Sequence, residues 1–254
     1  MNQANTITGS LTEVKALYDL GNLTNTAADE AVTITDSTLA AADLITVNGD
    51  TSGTVTVDAT AITGSAANVN TILAAGYAGV SGLGGDETVT LTDTTLDVAA
   101  LLTTLGSTPD NPQTIGTPLT TGLISFGSDA TGISGDYDEI LHILTQSKTV
   151  ADASDDTSGV ESPTIAGVSG LNITIDDTPT VANINTLEAE YTVGTITATL
   201  AKQPASVFTH ETTGILNTGN TLNVTVIGES GTATTVAAAD AIAVAALTSG
   251  TVTL

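Results

Sequence analysis

Basic residues are nearly absent from this chain of 254 residues. It has no Arg and three Lys against 28 Asp and Glu, a formal net charge of −25. Binding to a nucleic-acid backbone requires several cationic contacts with phosphate, so that class of partner is excluded. Cysteine is missing altogether, which rules out a disulfide framework and a Cys-ligated zinc site. There is no Trp, and aromatic residues are 2% of the chain. A carbohydrate platform or an aromatic peptide groove has little to be built from. No apolar run reaches membrane-spanning length. The most apolar stretch, 237–247, has eleven residues and contains Asp240. The opening MNQANTITGS has neither a basic region nor an apolar core, so it does not read as a cleaved secretory signal. Three origins stay open: a cytosolic protein, export by a C-terminal signal, or a piece of a longer chain.

What the chain does have is Thr and Ala, which together supply about one residue in three, and a mean hydropathy of +0.28. Val, Ile and Leu are abundant and periodic, so intrinsic disorder is not expected despite the charge. One phrase recurs: a short alternating strand, an Asp or small polar residue, an Ala/Leu-rich amphipathic stretch, then often Gly. VTITD at 32–36 precedes STLAAADLI. TVTVD at 54–58 precedes SAANVNTILAAG. TVTLTD at 88–93 precedes TTLDVAALLTTLG. NITIDD at 172–177 precedes TPTVANINTLEAE, and TLNVTVIG at 221–228 precedes TTVAAADAIAVAALTSG. NTIT at 5–8 with SLTEVKALYDLG, and LISF at 123–126 with SGDYDEILHILTQ, read as a first and a diverged copy.

A spacing of this size is the mark of a repeat architecture. Alternating strand and helix favours parallel pairing of successive strands. The expected fold is therefore α/β: a right-handed solenoid with one short parallel strand and one short helix per turn. The alternative is a set of β-rich, sandwich-like modules with short helices. Repeat turns are expected over 1–146 and 171–254, with a polar insertion or irregular stretch at 147–170. Helix starts are marked by Ser10 with Glu13, by Asp136 with Glu139, and by Thr178 before Pro179.

The segments ITIDDTPTVANIN at 173–185 and VTLTDTTLDVAALL at 89–102 resemble the Thr/Asp/Ala-rich repeats of giant secreted bacterial surface proteins. The swimming-associated cell-surface proteins of marine cyanobacteria and related repeat adhesins are of this kind. The resemblance implies an extracellular or cell-surface location, a structural or adhesive role, and export without a cleaved N-terminal signal. It also implies that 254 residues are a fragment or a minor relative, because the giants carry many more repeats.

Candidate site residues are mostly acidic. Asp36, Asp58, Asp93, Asp176 and Asp177 each follow a strand. They read as helix caps and turn formers, or as a line of oxygen ligands for Ca²⁺ between turns. Two loops concentrate carboxylates: Asp129, Asp136, Asp138 and Glu139, and then Asp152, Asp155, Asp156 and Glu161. Neither has the spacing of an EF-hand loop. Calcium at Asp129, Asp136, Asp138, Glu139, Asp152, Asp155 and Asp156 is the metal expectation.

Catalysis is not expected. There is no G-x-S-x-G elbow, and GVSGLGG at 79–85 lacks the Lys of a phosphate loop. His142 and His210 are the two residues on which an enzyme of unknown type would have to depend. The functional expectation is an extracellular structural repeat protein, part of an adhesin, surface layer or filament, associating head to tail. The alternative is a calcium-dependent binding module for a protein or glycan partner at the cell surface.

Overall fold

The computed structural model describes residues 6–20, 29–74, 77–104, 106, 119–149, 165–228 and 235–254. Over these residues the protein is a mixed α/β structure with sixteen short strands and eight helices. The order is β1 (Thr6–Gly9), α1 (Leu11–Asp19), β2 (Ala31–Ile34), β3 (Thr38–Ala40), α2 (Ala41–Asp50), β4 (Val55–Thr56), β5 (Ala61–Gly64) and α3 (Ala66–Leu73). Next come β6 (Val80–Ser81), β7 (Thr88–Leu91), β8 (Thr95–Asp97), α4 (Val98–Thr104), β9 (Ile124–Phe126), β10 (Gly132–Gly135) and α5 (Tyr137–Thr149). The chain continues through β11 (Ile165–Ala166), β12 (Asn172–Ile175), α6 (Val181–Glu190), β13 (Ile196–Thr199), β14 (Gln203–Pro204), α7 (Ala205–Phe208), β15 (Thr221–Ile227), α8 (Ala238–Ala245) and β16 (Val252–Thr253). No helix among the described residues is long and apolar enough to cross a membrane.

The strands form three open sheets in which the pairings are parallel. One sheet runs β1-β2-β4-β6, a second β3-β5-β7-β9-β11, and a third β8-β10-β12-β13-β15, with β14 and β16 also on β15. The first two sheets belong to one compact unit (Met1–Asp93, Ala100–Asp129, Thr149–Gly167), and the third to another (Thr94–Ala99, Ala130–Lys148, Val168–Leu254). Of the polar stretch 147–170, residues 150–164 lie outside the described residues.

Register follows the hydrophobic alternation. Val32 faces Val55, and Leu39, Ile62, Val89, Ile124 and Ile165 stack in one rank. Leu96, Ile133, Ile173 and Ile196 form the corresponding rank in the third sheet. These inward residues are buried. Burying each contributes about 1.5–3 kcal/mol relative to exposure. The other face carries hydroxyls: Thr8, Thr33, Thr56 and Ser81 form one rank, and Ser134, Thr174, Thr197 and Thr221 another. Thr56 and Ser81 come within 3.3 Å, as do Thr90 and Ser125. The abundance of Thr thus has a structural cause. A β-branched residue suits the pleat, and its hydroxyl finds a neighbour across the ladder.

Some helices are preceded by more than the single strand expected. VTITD and TVTLTD behave as read, but the Asp-Ser and Asp-Thr turns that follow are succeeded by a second extended piece, β3 or β8, before the helix begins. The Ala-rich context of TLAAAD hid β3 within a helical pattern. The helices bury a narrow stripe, such as Ala41, Leu44 and Val47 in α2, Ala66, Val69 and Ile72 in α3, and Val181, Ile184 and Leu187 in α6. Helix α2 packs between α1 and α3. Small residues permit close stacking. A Cβ placed on Gly64 would lie 2.9 Å from the Ala41 Cβ, at the start of the preceding helix. Gly135 meets Val98 in the same manner, at 3.1 Å.

Candidate functional site

Three of the five Asp residues singled out after strands, Asp36, Asp93 and Asp177, cap helices, and each caps the helix one unit earlier in the chain. No cap bond is seen for Asp58 or Asp176 among the described residues. Asp36 accepts a hydrogen bond from the Leu11 amide at 2.5 Å, and Asp93 accepts one from Ala66 at 2.8 Å. Asp177 accepts from Tyr137 at 3.0 Å. Each donor is the first residue of its helix, α1, α3 or α5. That position has a free N–H and the positive end of the helix dipole, so a carboxylate there is stabilising. The same helices are capped from within as well. Ser10 and Glu13 form the expected capping box, Ser65 accepts from Asn68, and Glu139 accepts from the Asp136 amide. At α6 the cap is Thr180 with Asn183, in place of Thr178. Thr180 has the extended backbone of an N-cap (φ −85°, ψ 164°), and its hydroxyl accepts from the Asn183 amide.

Carboxylates gather where β8, the start of α5 and the end of β12 meet in one compact unit. Partial desolvation, reinforced by the charges of Asp177, Asp176 and Asp138, holds the carboxyl of the exposed Asp136 above its ordinary pKa. Burial also raises Glu139, which is 6% exposed, against the opposing bond from the Asp136 amide. Asp136, Asp97 and Asp176 add to that rise. The described ion pair, Lys15 with Asp19 at 2.8 Å, lies elsewhere, on α1.

Of the seven residues expected to hold calcium, Asp136, Asp138 and Glu139 are together in this cluster. Asp129 is exposed in the turn after β9, with the Ser128 hydroxyl 3.5 Å away. Asp152, Asp155 and Asp156, with Glu161, lie outside the described residues. Among the described residues, no group of three or more His, Asp or Glu side chains could hold a metal ion.

The two histidines have different surroundings. His142 is half-buried on α5, and burial holds its imidazole below the ordinary pKa. Its Nε2 is buried without a hydrogen-bond partner. His210 is exposed after α7, where Nδ1 lies 3.3 Å from the Thr212 amide. An open cleft of about 330 Å³ lies between the end of α3 and the Gly-rich stretch, lined in part by Ile72, Tyr77, Val80, Leu83 and Leu119.

Two further devices escaped the sequence reading. The first is a Thr-x-Gly clasp. The Thr51 hydroxyl donates to the Glu30 carbonyl at 2.7 Å and accepts from the Gly53 amide at 3.0 Å. Thr120 does the same with Glu87 and Gly122, and Thr248 with Leu222 and Gly250. A side chain at Gly53 would overlap the Glu30 carbonyl. Glu30 and Glu87 themselves are 3% and 1% exposed, and Glu87 accepts the Gly84 and Gly85 amides. The second device is an Asn on the helix face. Asn48, Asn70 and Asn185 donate to the carbonyls of Ala78, Ala100 and Gly214 at 3.0, 2.8 and 2.8 Å.

The signal for the Asp caps was a longer repeat than the one read. DEAVTITDSTL at 29–39 matches DETVTLTDTTL at 86–96, and ITGSLTEV at 7–14 matches ITGSAANV at 62–69. The true period spans two strand–helix units, one supplying the capped helix and the next supplying the Asp. No family model, curated protein or solved structure matches the chain.

Proposed function

We propose that this is an extracellular structural repeat protein, part of an adhesin, surface layer or self-assembling filament, with its units wound as a right-handed solenoid. The observation that carries the reading is the use to which the repeated polar residues are put. Asp36, Asp93 and Asp177, the Thr-x-Gly clasps and the helix Asn residues all bond to a neighbouring strand–helix unit. A sequence organised in this way is organised for stacking. The charge of −25 fits a saline exterior, where ions screen close carboxylates. Antibody labelling of intact source cells tests the location. Labelling that is removed by brief protease treatment supports the reading, and labelling seen only after permeabilisation overturns it.

A second reading is the calcium-dependent binding module expected from the sequence. The carboxylates around Asp136 repel one another, which a cation would relieve, although no described group is arranged to hold one. Melting curves in calcium and in sodium chloride of equal ionic strength separate the two. A rise specific to calcium supports the module, and equal responses remove it.

A further inference from the structure

The segment Thr235–Leu254 is a second copy of Thr38–Val57, aligned without a gap. Thirteen of the twenty positions are identical, including T-x-A-A-A-D at the helix start and T-S-G-T-V-T at the following strand. In the first copy these residues are covered by the next unit. Strand β5 pairs with β3, placing Leu39 opposite Ile62 and Ala40 opposite Thr63, and Gly64 closes over Ala41. Helix α3 packs on α2, Ile45 is half-buried, and Val57 is 3% exposed. In the second copy the same face is bare. Leu254, the counterpart of Val57, is 70% exposed, and Ile242, the counterpart of Ile45, is 71% exposed. They are the two most exposed large apolar residues among those described.

Among the described residues the complementary edge is unpaired as well. Thr6–Gly9 and Ser10 carry the I-T-G-S of Ile62–Ser65, and β1 pairs β2 just as β5 pairs β7, with Ile7 opposite Val32 and Ile62 opposite Val89. On its other side β5 receives β3, whereas β1 is the last described strand of its sheet. Gly64 needs its missing side chain because Ala41 presses on it. A Cβ on Gly9 would meet only its own helix, Glu13 at 3.3 Å and Val14 at 3.6 Å. Gly9 is therefore shaped for a neighbour.

We infer that β1 and α1 of one copy dock on the α8 and β16 face of a second copy, reproducing the junction that β3 and α2 make with β5 and α3. Val236 then lies opposite Ile7, Ala237 opposite Thr8, and Gly9 closes over Ala238. Ile242 becomes covered to the extent that Ile45 is. The two faces differ, so the contact is heterologous, and each added copy leaves one face of each kind for the next. This deepens the structural-assembly reading and rests on it, but the two fail separately. Surface labelling tests the location, and association in solution tests the junction.

Sedimentation velocity of the full chain across a concentration series, in about 0.5 M NaCl to screen the charge, reads the junction. The parent is expected to grow with concentration without reaching a closed size. Gly9→Val on one face and Ile242→Glu on the other each raise the apparent dissociation constant by about tenfold or more. Leu254→Asp provides a second variant on the latter face. Ile242→Glu and Leu254→Asp are expected to leave melting unchanged, because these side chains are exposed within one copy. Gly9→Val presses on Glu13 and Val14 of its own helix, so its melting is measured alongside and association is compared well below its midpoint. An equimolar mixture of Gly9→Val and Ile242→Glu retains one intact junction and stops at dimers. A parent that stays monomeric at every concentration overturns the proposal. Variants that associate like the parent, or a mixture that forms no dimer, overturn it too.

Discussion

The Asp93 carboxylate accepts a hydrogen bond from the Ala66 amide, 27 residues earlier in the chain, at 2.8 Å. The contact joins the end of one strand to the first turn of the helix in the preceding unit. Removing it frees a helix N–H and takes a negative charge from the positive end of the dipole. Asp93→Ala should cost about 1 kcal/mol, within the usual 0.5–2 kcal/mol for a lost N-terminal cap. Asp58→Ala is the comparison, because Asp58 also follows a strand but is exposed. Its urea midpoint should scarcely move. Equal losses at both positions would show that the cap contributes nothing particular.

This relationship also shows how far the sequence could be read. The strands at 5–8, 32–36, 88–93, 172–177 and 221–228 were visible because Val and Ile alternate with Thr, and parallel pairing followed from the intervening helices. Ser10 and Glu13 were visible because a capping box is local. The partner of Asp93 was not, since it depends on which unit stacks on which, and local spacing allows a cap on the following helix equally well. Thr178 attracts attention because Thr-Pro is a familiar helix start, whereas Thr180 has Asn183 in reach to complete a box. Residues such as Gly53 and Thr51 do not stand out in a chain this rich in Gly and Thr. They gain meaning only beside the Glu30 carbonyl.

The carboxylates near α5 predict an unusual response to acid. Asp136 and Glu139 have folded pKa values raised above their ordinary ones. The folded state thus takes up these protons more readily than the unfolded chain. Stability should rise as pH falls from neutral through the raised values, with the gain complete below the ordinary carboxylate range. Asp136→Asn keeps the size of the side chain and removes one charge, so it should flatten the rise seen by thermal melting. High salt should flatten it as well, because Asp136 is open to screening at the surface. A stability that falls steadily from neutral pH in the parent would contradict the cluster.

Glu13 acts in the opposite direction and at lower pH. Its bonds from the Ser10 amide and hydroxyl hold its pKa below the ordinary value. That contribution is present above the ordinary Glu value and disappears as pH falls through the depressed one. Glu13→Gln should keep the box geometry and remove only this acid-side loss, read as a shallower fall in melting temperature at the acid end.

His142 opposes the acid cluster near neutral pH. Burial holds its imidazole below the ordinary value, and its Nε2 has no partner. Its neutral form stabilises the fold above the ordinary imidazole pKa, and that contribution is lost as pH drops through the depressed one. Replacing it by Leu keeps the apolar contacts of α5 and removes the titration. His142→Leu should be close to neutral at about pH 8 and more stable than the parent at about pH 5. A variant that melts lower than the parent at both values would show that the ring fills a specific polar role.

Two glycines in neighbouring units should respond to alanine with opposite signs. Gly49 lies inside α2, and a methyl group added there would meet nothing within 4 Å. There Ala restricts the unfolded chain and favours the helix, so Gly49→Ala should stabilise by about 0.5–1 kcal/mol. Gly64 lies in β5, where a Cβ would come 2.9 Å from that of Ala41. Gly64→Ala must push the strand away from α2, and overpacking of this kind costs about 1–3 kcal/mol. The pair separates backbone entropy from stacking distance within a single compact unit. If Gly64→Ala were stabilising as well, the close approach of β5 to α2 would not be what keeps a glycine in the I-T-G-S motif.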